Sequence, residues 1–174
     1  MRTALVALVF MACGTGAPID EPALIAAARG GNAAEVARLV KGGADPNLRY
    51  GVNDWPALMH AVHKHQLAAA AALLDAGADP NERYPHNYTP LMMAAAYGHT
   101  DMVRLLLARG ASTRAINWEG ATALDLALEG VFDIDRFTVL SCQDDTVRAL
   151  RAADPALQGN SFARRWARVK RCGA

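Results

Sequence analysis

The stretch from Thr89 to Ala111 constrains the fold most, because its pattern returns before and after it at a nearly fixed interval. A shift of the sequence by 33 residues places Leu58 on Leu91 and Leu91 on Leu124. Repetition at such a period is typical of stacked units, each of which buries its apolar side against its neighbours. The sequence therefore predicts a repeat array rather than a single layered core.

One step of the array is longer by one residue. The segment GADPN at 43–47 returns at 77–81, which is a shift of 34 residues instead of 33. The extra residue is predicted in the turn around 51–53, since the pattern on both sides of this turn is otherwise preserved.

Each unit has the signals of two short helices. Thr89 before Pro90 is typical of a helix start. The threonine hydroxyl can accept from a free backbone N–H of the first turn, and proline is favourable there because it has no N–H that would stay unpaired. Gly98 marks the turn, and the second helix, from Asp101, ends at Gly110, a residue type that reaches positive φ without strain. The same register places His65 at the turn position of Gly98.

The landmarks TPL at 89–91, GH at 98–99 and GADPN at 77–81 resemble the ankyrin repeat over about residues 20–129. The resemblance implies an all-α repeat solenoid of about four ankyrin repeats, each a hairpin finger followed by two antiparallel helices. The repeats are expected at about 20–47, 48–81, 82–114 and 115–153, with an insertion near 130–142. Together they form a domain over 18–153, followed by a C-terminal capping helix within 154–174.

The first 17 residues have one basic residue, a short apolar run and then small residues, which predicts a signal peptide. The alternative is the apolar start of the first repeat. Export to the periplasm or outer envelope of a bacterium is the expectation, with a cytoplasmic location as the alternative. Cys13 is a possible lipidation site, and lipidation there is the expected route to a membrane.

Besides Cys13, the chain has Cys142 and Cys172, an even pair that we expect to form a disulfide in an oxidising compartment. Two unrelated thiols are the alternative. The final segment 161–172 places aromatic residues on one face and arginines on the others. It is expected to cover the end of the array, and binding to an anionic membrane is the alternative.

Neither catalytic nor cofactor-binding motifs are recognisable, so we expect no enzyme activity and no cofactor. The pair His60 and His63 lies on one helical face, but no acidic residue stands at ligand spacing between them, and we expect no metal site. The net charge of +1 gives no global attraction to nucleic acid.

The expected function is binding of another protein by a monomer, through the finger tips and the adjacent ends of the first helices, as the ankyrin resemblance implies. Trp55, Tyr88 and Trp118 stand in successive fingers, and such side chains dominate interface energies. The alternatives are an inhibitor or immunity protein for a toxin or envelope enzyme, and a lipid-anchored structural element of the envelope. The predicted contact residues are Val52, Asn53, Trp55, His63, Lys64, Pro85, His86, Tyr88, Tyr97, Trp118 and Glu119.

Overall fold

Short helices in antiparallel pairs make up about half of the residues that the structure describes. The structure, a computed structural model, describes residues 22–129 and 143–160. Its helices in these ranges are α1 Ala23–Arg29, α2 Ala33–Lys41, α3 Ala57–His63, α4 Leu67–Asp75, α5 Pro90–Ala96, α6 Thr100–Ala108, α7 Ala123–Glu129 and α8 Asp144–Ala153. Two short strands, β1 Arg49–Tyr50 and β2 Trp55–Pro56, and a 3-10 turn, Pro85–Asn87, complete the elements.

The start and end signals of the third repeat act as the sequence predicts. The Met92 N–H donates to Thr89 Oγ1 at 3.3 Å, and Pro90 is the first residue of α5. Gly98 then turns the chain with a φ of +70°, where a side chain would be strained. His65, at the same position of the second repeat, has a φ of +56° and confirms the predicted register.

The helices form two layers. The first helices of successive repeats pack on one another in the order α1, α3, α5 and α7, and the second helices pack in the order α2, α4, α6 and α8. One leucine recurs in every first helix and is buried each time: Leu24, Leu58, Leu91 and Leu124. The predicted all-α repeat solenoid is confirmed.

Three fingers precede the later first helices. In the second finger, β1 and β2 pair antiparallel, with Tyr50 opposite Trp55. The third finger is closed by the Tyr84 N–H donating to the Tyr88 carbonyl at 2.9 Å, and the fourth by the Asn117 N–H donating to the Ala121 carbonyl at 3.0 Å. The second finger has four residues between its closing pair, whereas the others have three. The extra residue therefore lies in the turn where the sequence predicts it.

Asparagine side chains join consecutive repeats at the GADPN segments. Asn47 Oδ1 accepts from the Asp79 N–H at 3.1 Å, and Asn81 Oδ1 accepts from the Ser112 N–H at 2.7 Å. Each amide thereby satisfies a backbone donor of the following repeat.

Glutamine side chains make a second recurrent junction, at the starts of the second helices. Gln66 precedes α4 and lies against Gly31 of the first repeat, while Gln143 precedes α8 and lies against Gly98 of the third. Gln143 Nε2 also donates to the Ala96 carbonyl at 2.8 Å. Gln143 thus occupies in the fourth repeat the position that Gln66 occupies in the second, although 130–142 intervene after α7.

We expect Gly98→Ala to destabilise the fold more than Gly110→Ala. Both residues have positive φ, so both variants bear the left-handed strain of about 1 kcal/mol. Only a Cβ at Gly98 would approach a neighbour closely, the Gln143 side chain at 3.0 Å. Urea denaturation of the two variants measures the difference, and equal losses would show that the junction tolerates a methyl group.

Several predictions concern residues outside the described ranges. They are the signal peptide at 1–17, lipidation of Cys13, the disulfide between Cys142 and Cys172, and the helix within 161–172. Within the described residues, no helix is both long and apolar enough to cross a bilayer.

Candidate functional site

A row of rings runs from the second finger past the C-terminal ends of α3 and α5 to the turns that follow these helices. It consists of Trp55, His63, Tyr97, His99 and His65, and we call it the aromatic ladder. Its ring centroids are separated by 5.4 Å from Trp55 to His63, 5.5 Å from His63 to Tyr97, 5.7 Å from Tyr97 to His99 and 4.0 Å from His99 to His65. All five side chains are exposed or half-buried, so the ladder is part of the surface.

One end of the ladder is held by an acidic residue. His65 Nε2 lies 2.6 Å from Asp101 Oδ1, and the His65 ring stacks on His99 with only 5° between the planes. Burial disfavours ionisation of the Asp101 carboxyl, but the hydrogen bonds from His65 and the Met102 N–H outweigh burial and lower its pKa below the ordinary 3.8. The pair joins the turn of the second repeat to α6 of the third.

The Asp101 interaction predicts a pH-dependent stability. Because the pKa of Asp101 is lower in the folded chain, its contribution is fully present above its unfolded pKa and is lost as the pH falls through the folded pKa. We expect wild type to be more stable than Asp101→Asn at about pH 7, and the difference to shrink below about pH 4. Urea midpoints across this range measure it, and a difference that stays constant with pH would contradict the assignment.

A cavity of about 330 Å³ lies between the second and third fingers, and we call it the finger cavity. Its walls are formed by Trp55, Met59, Tyr84, Tyr88 and Met93. Its rim is formed by the exposed residues Val52, Asn53, Pro85 and His86. Among the described residues, none with a carboxylate, ammonium or guanidinium lines it.

An ion-pair network supports the cavity from the side. Arg49 of the second finger donates to Glu82 Oε1 at 2.6 Å and to Asp54 Oδ2 at 3.1 Å. Both hydrogen bonds raise the pKa of Arg49, and the bond to Glu82 has the larger effect. The guanidinium lies 5.6 Å from the centre of the Tyr84 ring. Burial raises the pKa of Tyr84, so its side chain stays neutral at physiological pH. The network fixes the spacing of the two fingers.

The turns beside the cavity contain backbone strain. Asp54, His86 and Asn87 all have φ between +51° and +66°, a region that side chains disfavour. Strain of this kind is concentrated at functional sites, where surrounding contacts maintain it. Of these three residues, His86 also forms part of the rim of the cavity.

Trp118 lies apart from the other two predicted aromatic residues. Trp55 and Tyr88 share the finger cavity, whereas the Trp118 ring packs on the His86 ring with centroids 5.2 Å apart. The Trp118 backbone N–H donates to the His86 carbonyl at 3.0 Å. Trp118 is 68% exposed. The adjacent Glu119 is exposed too, and its N–H donates to Asn117 Oδ1.

The structure thus divides the predicted contact residues among three places. Trp55, His63 and Tyr97 belong to the ladder, and Lys64 is exposed just after α3. The cavity brings together Val52, Asn53, Trp55, Pro85, His86 and Tyr88. Trp118 and Glu119 stand at the tip of the fourth finger.

The sequence did not predict that Met59, Tyr84 and Met93 line the finger cavity, nor that Asp101 is the partner of His65. One signal was present for Tyr84, because the pair Arg83-Tyr84 at the base of the third finger repeats Arg49-Tyr50 at the base of the second. Within residues 22–129 and 143–160, no three His, Cys, Asp or Glu side chains are grouped as metal ligands.

The fold and this surface define a class: an α-helical repeat scaffold whose fingers and first helices form one exposed side of the stack. Two family models match the chain, one for ankyrin repeats in three copies over residues 3–84 and one for ankyrin repeats in many copies over residues 73–127. Together they extend over most of the sequence, and the chain belongs to the ankyrin repeat family. No curated protein matches the chain. The first match includes the predicted signal peptide, so both interpretations of that segment stay predictions.

Proposed function

We propose that this chain, as a monomer, binds a protein partner through the aromatic ladder and the neighbouring finger tips. Ankyrin repeats are in general non-enzymatic modules for binding other proteins. The observation that carries the proposal is the ladder itself, which places five contacting rings at the surface of two adjacent repeats. Large aromatic side chains are the residue types that contribute most to binding energy at interfaces.

The proposal includes a setting in the bacterial envelope, after export by the N-terminal segment. Inhibition of a toxin or envelope enzyme is one form that such binding would take, and a lipid-anchored structural role is another. The mass of the chain recovered from its own cells tests the setting. Loss of residues 1–17 supports export, a lipid increment on Cys13 supports anchoring, and an unprocessed chain contradicts both.

We expect the double variant His63→Ala and Tyr97→Ala to lose the partner. These half-buried rings form the centre of the ladder and lie outside the finger cavity. Truncation of central aromatic contacts commonly weakens binding by about 2 kcal/mol or more, roughly thirtyfold. The measurement is quantitative capture by the tagged full-length chain from fractionated cells.

The matched control is Leu67→Ala, which removes an exposed apolar side chain from the second-helix layer. It should retain the partner that the wild type retains. Equal retention by the ladder variant, with its fold intact by circular dichroism, would show that the partner binds elsewhere.

A further inference from the structure

The finger cavity has the size of a two-ring group. An engineered apolar cavity of about 150 Å³ holds a single benzene ring. The finger cavity, at about 330 Å³ and open at its mouth, is roughly twice as large, so a phenyl or leucine side chain would leave part of its apolar wall in contact with water. Apolar wall that stays in water contributes no burial energy, which favours an occupant that covers more of the wall.

The walls have the chemistry of a site for a flat, neutral ring. Trp55, Tyr84 and Tyr88 supply aromatic surfaces, and Met59 and Met93 supply thioethers, which make favourable contacts with aromatic groups. Since none of the described residues that line the cavity is an acid, a lysine or an arginine, a charged occupant would lose its hydration without gaining an ion pair.

The cavity is continuous with the aromatic ladder, because Trp55 belongs to both. Its rim residues, Val52, Asn53, Pro85 and His86, are exposed at the finger tips, so the mouth opens on the face proposed to meet a partner. A side chain that projects from a protein lying on the ladder can therefore enter between the two fingers.

We propose that the finger cavity binds the indole ring of a tryptophan side chain that a partner protein inserts between the second and third fingers. The inference rests on the proposed function and names the chemistry of the partner. Trp55 and Tyr88 flank the inserted ring, and Met93 contacts it. The Arg49 network maintains the separation of the fingers that the ring requires.

The test uses the full chain with labelled methionine methyl groups and N-acetyl-tryptophanamide as the probe. Met93, which is half-buried, reports from the cavity, and Met59, which is 0% exposed, reports from behind its surface; Met92 and Met102, which do not line the cavity, report on the integrity of the core. We expect saturable shifts of the Met93 methyl resonance and smaller shifts of the Met59 resonance, with the core resonances unchanged. Affinity for the probe should exceed that for N-acetyl-leucinamide about tenfold, because ring contacts add to area burial.

Two tryptophan variants form a matched pair. Trp55→Ala removes a wall and should abolish the shifts, whereas Trp118→Ala makes the same chemical change outside the cavity and should preserve them. Tyr84→Phe should also preserve them, since it keeps the ring and removes a hydroxyl that is shielded from solvent. If Trp55→Ala disturbs the core resonances, Met93→Ala replaces it, with Met59 as the reporter.

Three results would overturn the inference: no shift with the tryptophan probe, equal affinity for the leucine probe, or stronger shifts with tetramethylammonium, which would indicate a site for cations. Any of these, combined with partner capture that depends on His63 and Tyr97, would leave the proposed function standing. Saturable probe binding without any ladder-dependent partner would instead support the cavity and contradict the proposed function.

Discussion

Leu91→Ala is expected to lower the free energy of unfolding by about 2 to 5 kcal/mol, the range for large-to-small changes in a packed core. Leu91 is 0% exposed in α5, which packs against α3 on one side and α7 on the other. The variant therefore weakens two interfaces between repeats as well as its own unit. Because the stability of an array depends on interfaces between neighbours, the loss should reach all the repeats.

Urea denaturation measures this loss, and Leu67→Ala is its control. Leu67 is 38% exposed, so the same chemical change there should alter stability by no more than about 0.5 kcal/mol. Amide exchange adds a second readout, because protection should fall in α3 and α7 as well as in α5. Protection lost from α5 alone would contradict coupling through the stack.

Asp125→Asn is expected to cost about 1.5 to 3 kcal/mol, the range for hydrogen bonds to a charged group. The Asp125 carboxylate is 1% exposed. Its Oδ2 accepts from the N–H and hydroxyl of Thr122, and its Oδ1 accepts from the Asn160 N–H at 2.5 Å. The NH₂ group of an asparagine at this position would face an N–H or O–H donor and could not accept from it. The start of α7 and the segment at Asn160 would therefore both lose hydrogen bonds.

Asp75→Asn is the matched control, since Asp75 forms an exposed ion pair with Arg109. Exposed pairs contribute little, and we expect a change of no more than about 1 kcal/mol. Thermal or urea unfolding of both variants gives the comparison. A loss for Asp125→Asn as small as that for Asp75→Asn would mean that the buried carboxylate is replaceable.

The period predicted what the repeats share. It placed Leu58, Leu91 and Leu124 in the core and put His65 at a turn, because these positions depend on backbone geometry that every unit repeats. The extra residue of the second finger was predictable for the same reason. A break in an otherwise regular spacing has to lie where the chain can bulge into solvent.

Contacts peculiar to one junction were not predictable. Asp101 meets His65 because a histidine occupies a turn where the next repeat has glycine, and the partner depends on side-chain directions across 36 residues. Trp118 was grouped with Trp55 and Tyr88 because of its residue type and not because of its position in the repeat. A shift of 33 residues places it on Pro85 at the rim, whereas Ala121 is the position that follows Trp55 and Tyr88.

The contact between Gln143 and Gly98 shows that the register of the stack does not depend on how many residues lie between the two helices of a repeat. Two residues separate the first helix from the residue before the second helix at 30–31, 64–65 and 97–98, whereas thirteen positions of the sequence separate α7 from Gln143. Since α8 still packs on α6, contacts between neighbouring repeats set the position of the second helix.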